Sequence, residues 1–433
     1  MSEAIALPMN DKNPMRRVLS IRDFFLLWIG QSTSLLGDQF NSIAGAWLVL
    51  KMTGDPLALG TVMALGGIPR AIFTVIGGAI TDRVSPRKVM LMADLIRLGI
   101  SALLAAQVLT GTLEVWMIYV YSLVSGIVSG VFAPASMSIA PFILPGIDLQ
   151  AGNSLMQGSM QLIGFVGPAL AGGLIAIFPD ETIGVGLAIA IDALTFLVSV
   201  VTLWMMKAGG QVISARLPGE KANVWRSIGE GIAYMFKDPA LRLMFILVAI
   251  ANLAFGGPVI VGIPFLADTR FPEGAAAYGL IVSGYAGGNL LGIVLSGVLP
   301  KPSQSRLKIL LVVMFGLFGL GIGALAWIDI TLLAMADLFL LGVLNGYLSI
   351  ILITGLQRNT PKEMLGRLMS MVLLANMGLM PLSQAMAGVI LRWNVPMLFI
   401  GAAGLLLICT FYLSVPKVGN LLSTQLVNGQ AEA

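Results

Sequence analysis

Between residues 23 and 415 the chain is a succession of apolar runs, each about twenty residues or longer, separated by short polar joints. A run of about 20 apolar residues, coiled into an α-helix, matches the hydrocarbon thickness of a bilayer. Twelve helices can be laid out at 23–50, 57–81, 87–109, 113–136, 149–178, 182–206, 241–266, 274–299, 307–328, 330–355, 363–391 and 395–415. With 57% of its residues hydrophobic and 11% charged, the chain has too little polar surface to cover a water-soluble core. The expected fold class is all-α integral membrane, with twelve transmembrane helices in two six-helix pseudo-symmetric bundles.

Charge sets the orientation. Twelve crossings put both termini on one side, and 20 of the 25 Lys and Arg residues lie on that side, against Lys51, Arg270 and Arg392 on the other. The positive-inside rule places the termini in the cytoplasm and the chain in the inner membrane. The net charge of +4 is therefore a topology signal and no nucleic-acid footprint. The expected units are an arm at 1–22, a first bundle at 23–206, a charged linker at 207–240, a second bundle at 241–415 and a tail at 416–433. The arm lacks a cleavable-signal pattern, so the first helix is expected to insert uncleaved. Within the linker, Trp225, Ile228, Ile232 and Met235 share a helix face that would lie along the membrane surface.

The joint between the second and third runs reads Gly77-Gly78-Ala79-Ile80-Thr81-Asp82-Arg83-Val84-Ser85-Pro86-Arg87-Lys88. A carboxylate at the end of a membrane helix needs a nearby cation or a helix N-terminus. Arg83, Arg87 and Lys88 stand within reach of Asp82. Gly78, Asp82, Arg83 and Arg87 resemble the loop signature between helices 2 and 3 of the major facilitator superfamily of transporters, with Ser85 and Pro86 replacing the usual turn glycine and basic residue. Other phrases are similar to the branch holding bacterial macrolide-efflux and enterobactin-export proteins: Ser34-Leu35-Leu36-Gly37-Asp38, Asp94-Leu95-Ile96-Arg97, Phe132-Ala133-Pro134-Ala135, Ala151-Gly152-Asn153-Ser154-Leu155 and Gly366-Arg367-Leu368-Met369-Ser370. The resemblance implies a drug/proton antiporter in which Asp82, Arg83 and Arg87 lock onto the inner end of helix 11 at Gly366 and Arg367 when the molecule opens outward. The stretches opening at Pro145 and Pro361 form a weak internal repeat, consistent with two related halves.

Polar residues inside the apolar runs mark where transport chemistry can sit. On the first helix Gln31, Ser34, Asp38, Asn41 and Gly45 fall at steps of three and four, one helical face. On the fifth, Asn153, Gln157, Gln161, Gly164 and Pro168 form a comparable stripe, and the two would make two walls of a cavity between the halves, with Asn376 of helix 11 a further lining residue. Asp38 is the leading proton-coupling candidate, because an ionisable group in mid-membrane is functional by default; a carboxylate satisfied by hydrogen bonds from a neighbouring helix is the other reading. Asp192 and Asp337 are further proton candidates, the first also explicable as a helix-to-helix hydrogen bond and the second as a solvated group. Asp94 and Arg97, three apart, read as a structural pair. Arg70 has no acid near it in sequence, so its partner must come from another helix, Asp38 being one option. Gly164, Gly167, Pro168 and Gly172 give helix 5 close packing and the capacity to bend, and they resemble the antiporter signature of that helix with Ala171 in place of a glycine.

Composition removes several classes. There is no histidine, only Cys409, and no phosphate-binding glycine loop, so neither a metal site, an intrachain disulfide, an ATP-driven pump nor a membrane enzyme finds its residues. No cofactor is called for. The expected function is export of small amphipathic or drug-like molecules by alternating access, in exchange for protons, by a monomer in the lipid bilayer. A lysophospholipid or lipid flippase, or a nutrient symporter, is the alternative on the same fold.

Overall fold

The computed structural model describes residues 13–81, 83–209, 239–300, 302–359 and 362–427, without the side chains of 240, 358–359, 362–377 and 422–427. The described chain is α1 (Pro14–Ser20), α2 (Arg22–Thr53), α3 (Pro56–Thr81), α4 (Pro86–Thr110), α5 (Val115–Ser138), α6 (Leu149–Ile177), α7 (Glu181–Met205), α8 (Pro239–Gly257), α9 (Ile263–Thr269), α10 (Ala275–Val298), α11 (Gln304–Ala324), α12 (Thr331–Asn359), α13 (Lys362–Trp393), α14 (Val395–Ser414) and α15 (Pro416–Val427). Among the described residues ten spans are long and apolar enough to cross a membrane, α8 and α9 counting as one. The 32-residue helices α2 and α13, diluted by polar side chains, complete the twelve.

Local chemistry sets the helix ends. Pro56, Pro86 and Pro416 open α3, α4 and α15, where a missing N–H costs nothing. Gly54 (φ +61°) and Gly111 (φ +68°) close α2 and α4 in the left-handed region. One expectation needs correction. The seventh crossing is not a continuous helix: a π-helical segment, Pro258–Gly262, separates α8 from α9. Just before it, the Ser383 hydroxyl of α13 inserts into the backbone ladder, accepting from the Gly257 N–H at 2.7 Å and donating to the Leu253 carbonyl. Such an insertion bends a helix.

The outside of the bundle is apolar. Leu103, Leu194 and Ile408 are each more than half exposed, and Trp116, Trp204, Trp327 and Trp393 stand exposed near helix ends, as an interfacial aromatic belt requires. Inside each half, α3 packs on α5 and α10 on α12, the second and fourth crossings of their respective six. Between the halves the principal contacts are α6 with α10 and α3 with α13, fifth with second in both cases, so one pseudo-twofold relates the two seams. The amphipathic stretch expected at 225–236 lies outside the described residues. At the N-terminal end, α1 docks on the bundle: Val18 is buried with Phe24, Leu144 and Ala151, and Arg17 Nε donates to Asp148 Oδ1 at 2.8 Å.

Candidate functional site

The polar interior of the first half is assembled from four helices. Helical spacing puts Asp94, Arg97 and Ser101 on one face of α4 and Asp192, Phe196 and Ser199 on one face of α7. The Arg97 guanidinium donates to Ser129 Oγ of α5 at 2.8 Å, lies 3.7 Å from Asp94 Oδ1, and sits over the rings of Phe132 (4.5 Å) and Phe196 (5.4 Å). Ser199 donates to Asp94 at 2.6 Å. Beside this pair runs a second chain of hydrogen bonds: Ser101 donates to Asp192 at 2.9 Å and meets the Tyr121 hydroxyl at 3.2 Å, and Asn41 donates to that same hydroxyl. Burial removes competing water from Asp94, Arg97, Ser101, Asp192 and Ser199 alike, so each of these bonds acts in a low-dielectric surrounding.

Asp38 stands apart. It lies midway along α2, yet it is exposed, unlike the acids beside it. Arg97 is the strongest attractor of its charge and Arg70 the second, while Asp94 and Asp192 both feel it as a like charge. Three carboxyl groups, those of Asp38, Asp94 and Asp192, therefore share the neighbourhood of two guanidinium groups. The Asp94–Arg97 pair is present as read from spacing. Neither Arg70 nor Arg97 makes an ion pair with Asp38 among the described residues; both act on it only through space, Arg97 the more strongly.

The first-helix stripe does not line a cavity as a unit. Gln31 and Ser34 are 8% and 3% exposed, and Asn41 is bonded to Tyr121 inside the bundle. The stripe mostly faces its own half, because Gly30 and Gly37 draw α2 against Thr202, Thr195 and Asp192 of α7. On α6 Asn153 and Gln157 are exposed and Gln161 is half-buried. Pro168 and Gly172 are buried against α10, and Gly167 packs on the Gln39 stem, while nothing crowds Gly164. Asp192 is sealed, held by Ser101. Asp337, half-buried in the second half, rests against Gly321 with one buried oxygen lacking a hydrogen-bond partner among the described residues. Asp82 and the side chains of Gly366, Arg367 and Asn376 lie outside the described residues.

The seam between the halves is shut at the face away from the termini. Gly172 meets Ala275 and Gly279, and Gly60 meets Gly388, with backbones so close that a Cβ on either side would collide. The Ala169 N–H crosses the first contact to Ser283 Oγ at 2.9 Å. Over these crossings lie ion pairs: Arg392 holds Asp55 through two hydrogen bonds of 2.8 and 2.6 Å, and Lys51 reaches Glu181 of its own half at 3.1 Å and Asp268 of the other at 3.0 Å. Of these five groups, the sequence brought forward only Lys51 and Arg392, and those only as charges counted for orientation. A loop charge gives no clue to a partner hundreds of residues away.

The family model of the Major Facilitator Superfamily matches residues 27–383. The chain belongs to this superfamily. It is similar to macrolide efflux protein A of Streptococcus pyogenes, 24% identical over 275 residues covering 64% of this chain and 66% of that protein. It is also similar to the multidrug efflux pump Tap of Mycolicibacterium fortuitum, 24% identical over 400 residues covering 88% and 95%. Among solved structures, a peptide transporter POT in complex with sulfate shares the fold at a TM-score of 0.69 and 18% identity, covering 94% of this chain and 99% of that one. The twelve-helix major facilitator fold, and with it a role as membrane transporter and not enzyme, follow from these likenesses. In this major facilitator protein the signature residues Arg83 and Gly78 are exposed and half-buried, and Arg87 is engaged within its own half. Its guanidinium donates to the Leu203 and Trp204 carbonyls at 2.7 and 2.8 Å, capping α7. Asp23 completes that corner by accepting from the N–H groups of Lys207 and Ala208.

Proposed function

We propose that the protein exports small amphipathic or drug-like molecules across the cytoplasmic membrane by alternating access, in exchange for protons, with its termini in the cytoplasm and as a single chain. The observation that carries this reading is Asp38: an acid exposed in mid-helix, close to the buried acids Asp94 and Asp192 and within electrostatic reach of Arg97 and Arg70. One proton changes the net charge of that set by one. Because a buried cluster interacts strongly with any net charge, loading and unloading the proton alters the relative energy of the two seam arrangements, and ~1.4 kcal/mol moves their ratio tenfold. The glycine crossings and ion pairs at the far face support a state closed there, and the exposed α6 wall of Asn153 and Gln157 offers polar groups to a cargo. The efflux activities named for the relatives favour export over import.

Asp38→Asn, reconstituted in inside-out vesicles, is expected to lose acid-driven uptake of a macrolide or dye while still binding it. Unaltered pH-driven uptake would remove Asp38 from the mechanism. Phospholipid movement without a pH gradient would instead assign the chain to lipid flipping.

A further inference from the structure

On the flank of the second half, away from the seam, α8, α14 and α15 enclose a groove of about 250 Å³. Its walls are aliphatic, with Ile246 and Ile250 from α8, Ile408 from α14 and Leu421 from α15, and buried Cys409 lies at its floor. α14 packs on α8, α11, α13 and α15, all of its own half, so this space is separate from the surroundings of Asp38. The rim, at the face that carries the termini, is polar: Tyr412 and Arg242 are both exposed there. Arg242 has no ion-pair partner among the described residues, and none of the described lining residues is acidic. Two more cations stand close by. Lys417 precedes the lining residue Val418, and Lys308 reaches Asn420 Oδ1 at 3.3 Å.

An apolar slot between membrane helices, opening at the level of the headgroups under an arginine with no ion-pair partner among the described residues, matches one class of molecule. We propose that the groove holds an acyl chain of an anionic glycerophospholipid from the surrounding bilayer, whose phosphate pairs with Arg242. Basic pockets between transmembrane helices recognise anionic headgroups by this charge pairing, while the aliphatic walls accept the chain. A drug-like cargo fits less well, since no polar group lies within the slot to orient it.

Native mass spectrometry of the detergent-purified full chain, with phosphatidylglycerol or phosphatidylcholine added, tests the assignment. The wild type is expected to retain phosphatidylglycerol in preference. Arg242→Gln should weaken that retention about fivefold, which is ~1 kcal/mol, the contribution of one basic residue at an anionic membrane surface. Ile250→Trp, which fills the slot, should lose both lipids. A second reading needs no substitution: Cys409 is the sole cysteine, so maleimide labelling in nanodiscs should slow when phosphatidylglycerol replaces phosphatidylcholine. Equal retention of the two lipids by wild type and Arg242→Gln, or labelling indifferent to headgroup charge, would overturn the proposal. So would a wild type that holds no lipid and shields Cys409 in every bilayer, the outcome expected if residues 210–238 fill the groove.

Discussion

Arg97 is the residue on which the polar interior of the first half converges. It pairs with Asp94, donates to Ser129, stacks between two phenylalanines and attracts Asp38. Removing one partner of a buried ion pair strands the other, at a cost of roughly 3–5 kcal/mol. Arg97→Gln should therefore lower the thermal unfolding midpoint of the detergent-solubilised protein markedly. Arg97→Lys should not restore it, because an ammonium offers neither the fork that reaches Ser129 nor the flat face that stacks. Spacing alone exposed Asp94 and Arg97 as a pair, since three residues on a helix are neighbours. It could not expose Ser101 and Tyr121, whose hydroxyls are unremarkable in any apolar helix until their partners on α7 and α2 are known. The stripe of Gln31, Ser34 and Asn41 misleads for the converse reason. Periodicity shows that polar groups share a side but does not say whether that side meets a cavity or a sister helix.

Among the elements, α6 and α10 do for one seam what α3 and α13 do for the other. At the first, a Cβ on Gly279 would strike the Pro168 carbonyl and Gly172. Gly279→Leu should disfavour the closed arrangement by ~1–3 kcal/mol, lowering its ratio to the open one by about five- to 150-fold. Disulfide cross-linking of Lys51→Cys with Asp268→Cys, in a Cys409→Ser background, reads this as a fall in yield. The seventh crossing offers another test. Ser383→Ala leaves the Gly257 N–H without its acceptor, a loss of ~1–3 kcal/mol for a buried donor, to be measured as a drop in unfolding midpoint. Helix ends were legible in the sequence to within a few residues because prolines and glycines punctuate them. The break at Pro258 was missed although that proline, having no N–H for the ladder, marks it; the Ser383 hydroxyl inserted beside it lies more than a hundred positions downstream.

For the whole molecule, the twelve crossings and their division into halves followed from the spacing of apolar runs and from charge asymmetry. Which face is shut did not, because the two partners of the lock, Asp55 and Arg392, are 337 positions apart. Hydrogen bonds from Arg392 hold the Asp55 carboxyl below its ordinary value of 3.8. The pair thus stabilises the shut face at every pH above that value and is lost only as pH falls through the lowered one. Spin labels on either side of the seam should show Asp55→Asn opening this face more often, by a factor that stays constant between about pH 5.5 and 8. Any pH dependence of transport in that range then belongs to another carboxylate. Lys51, bound to both Glu181 and Asp268, behaves differently from Arg392. In the proposed alternation it would give up one acid and keep the other, leaning on the Trp47 ring that lies 4.9 Å away in the structure. The ammonium would thus trade two carboxylates for one and never stand alone, while Asp268 would pass from Lys51 to water.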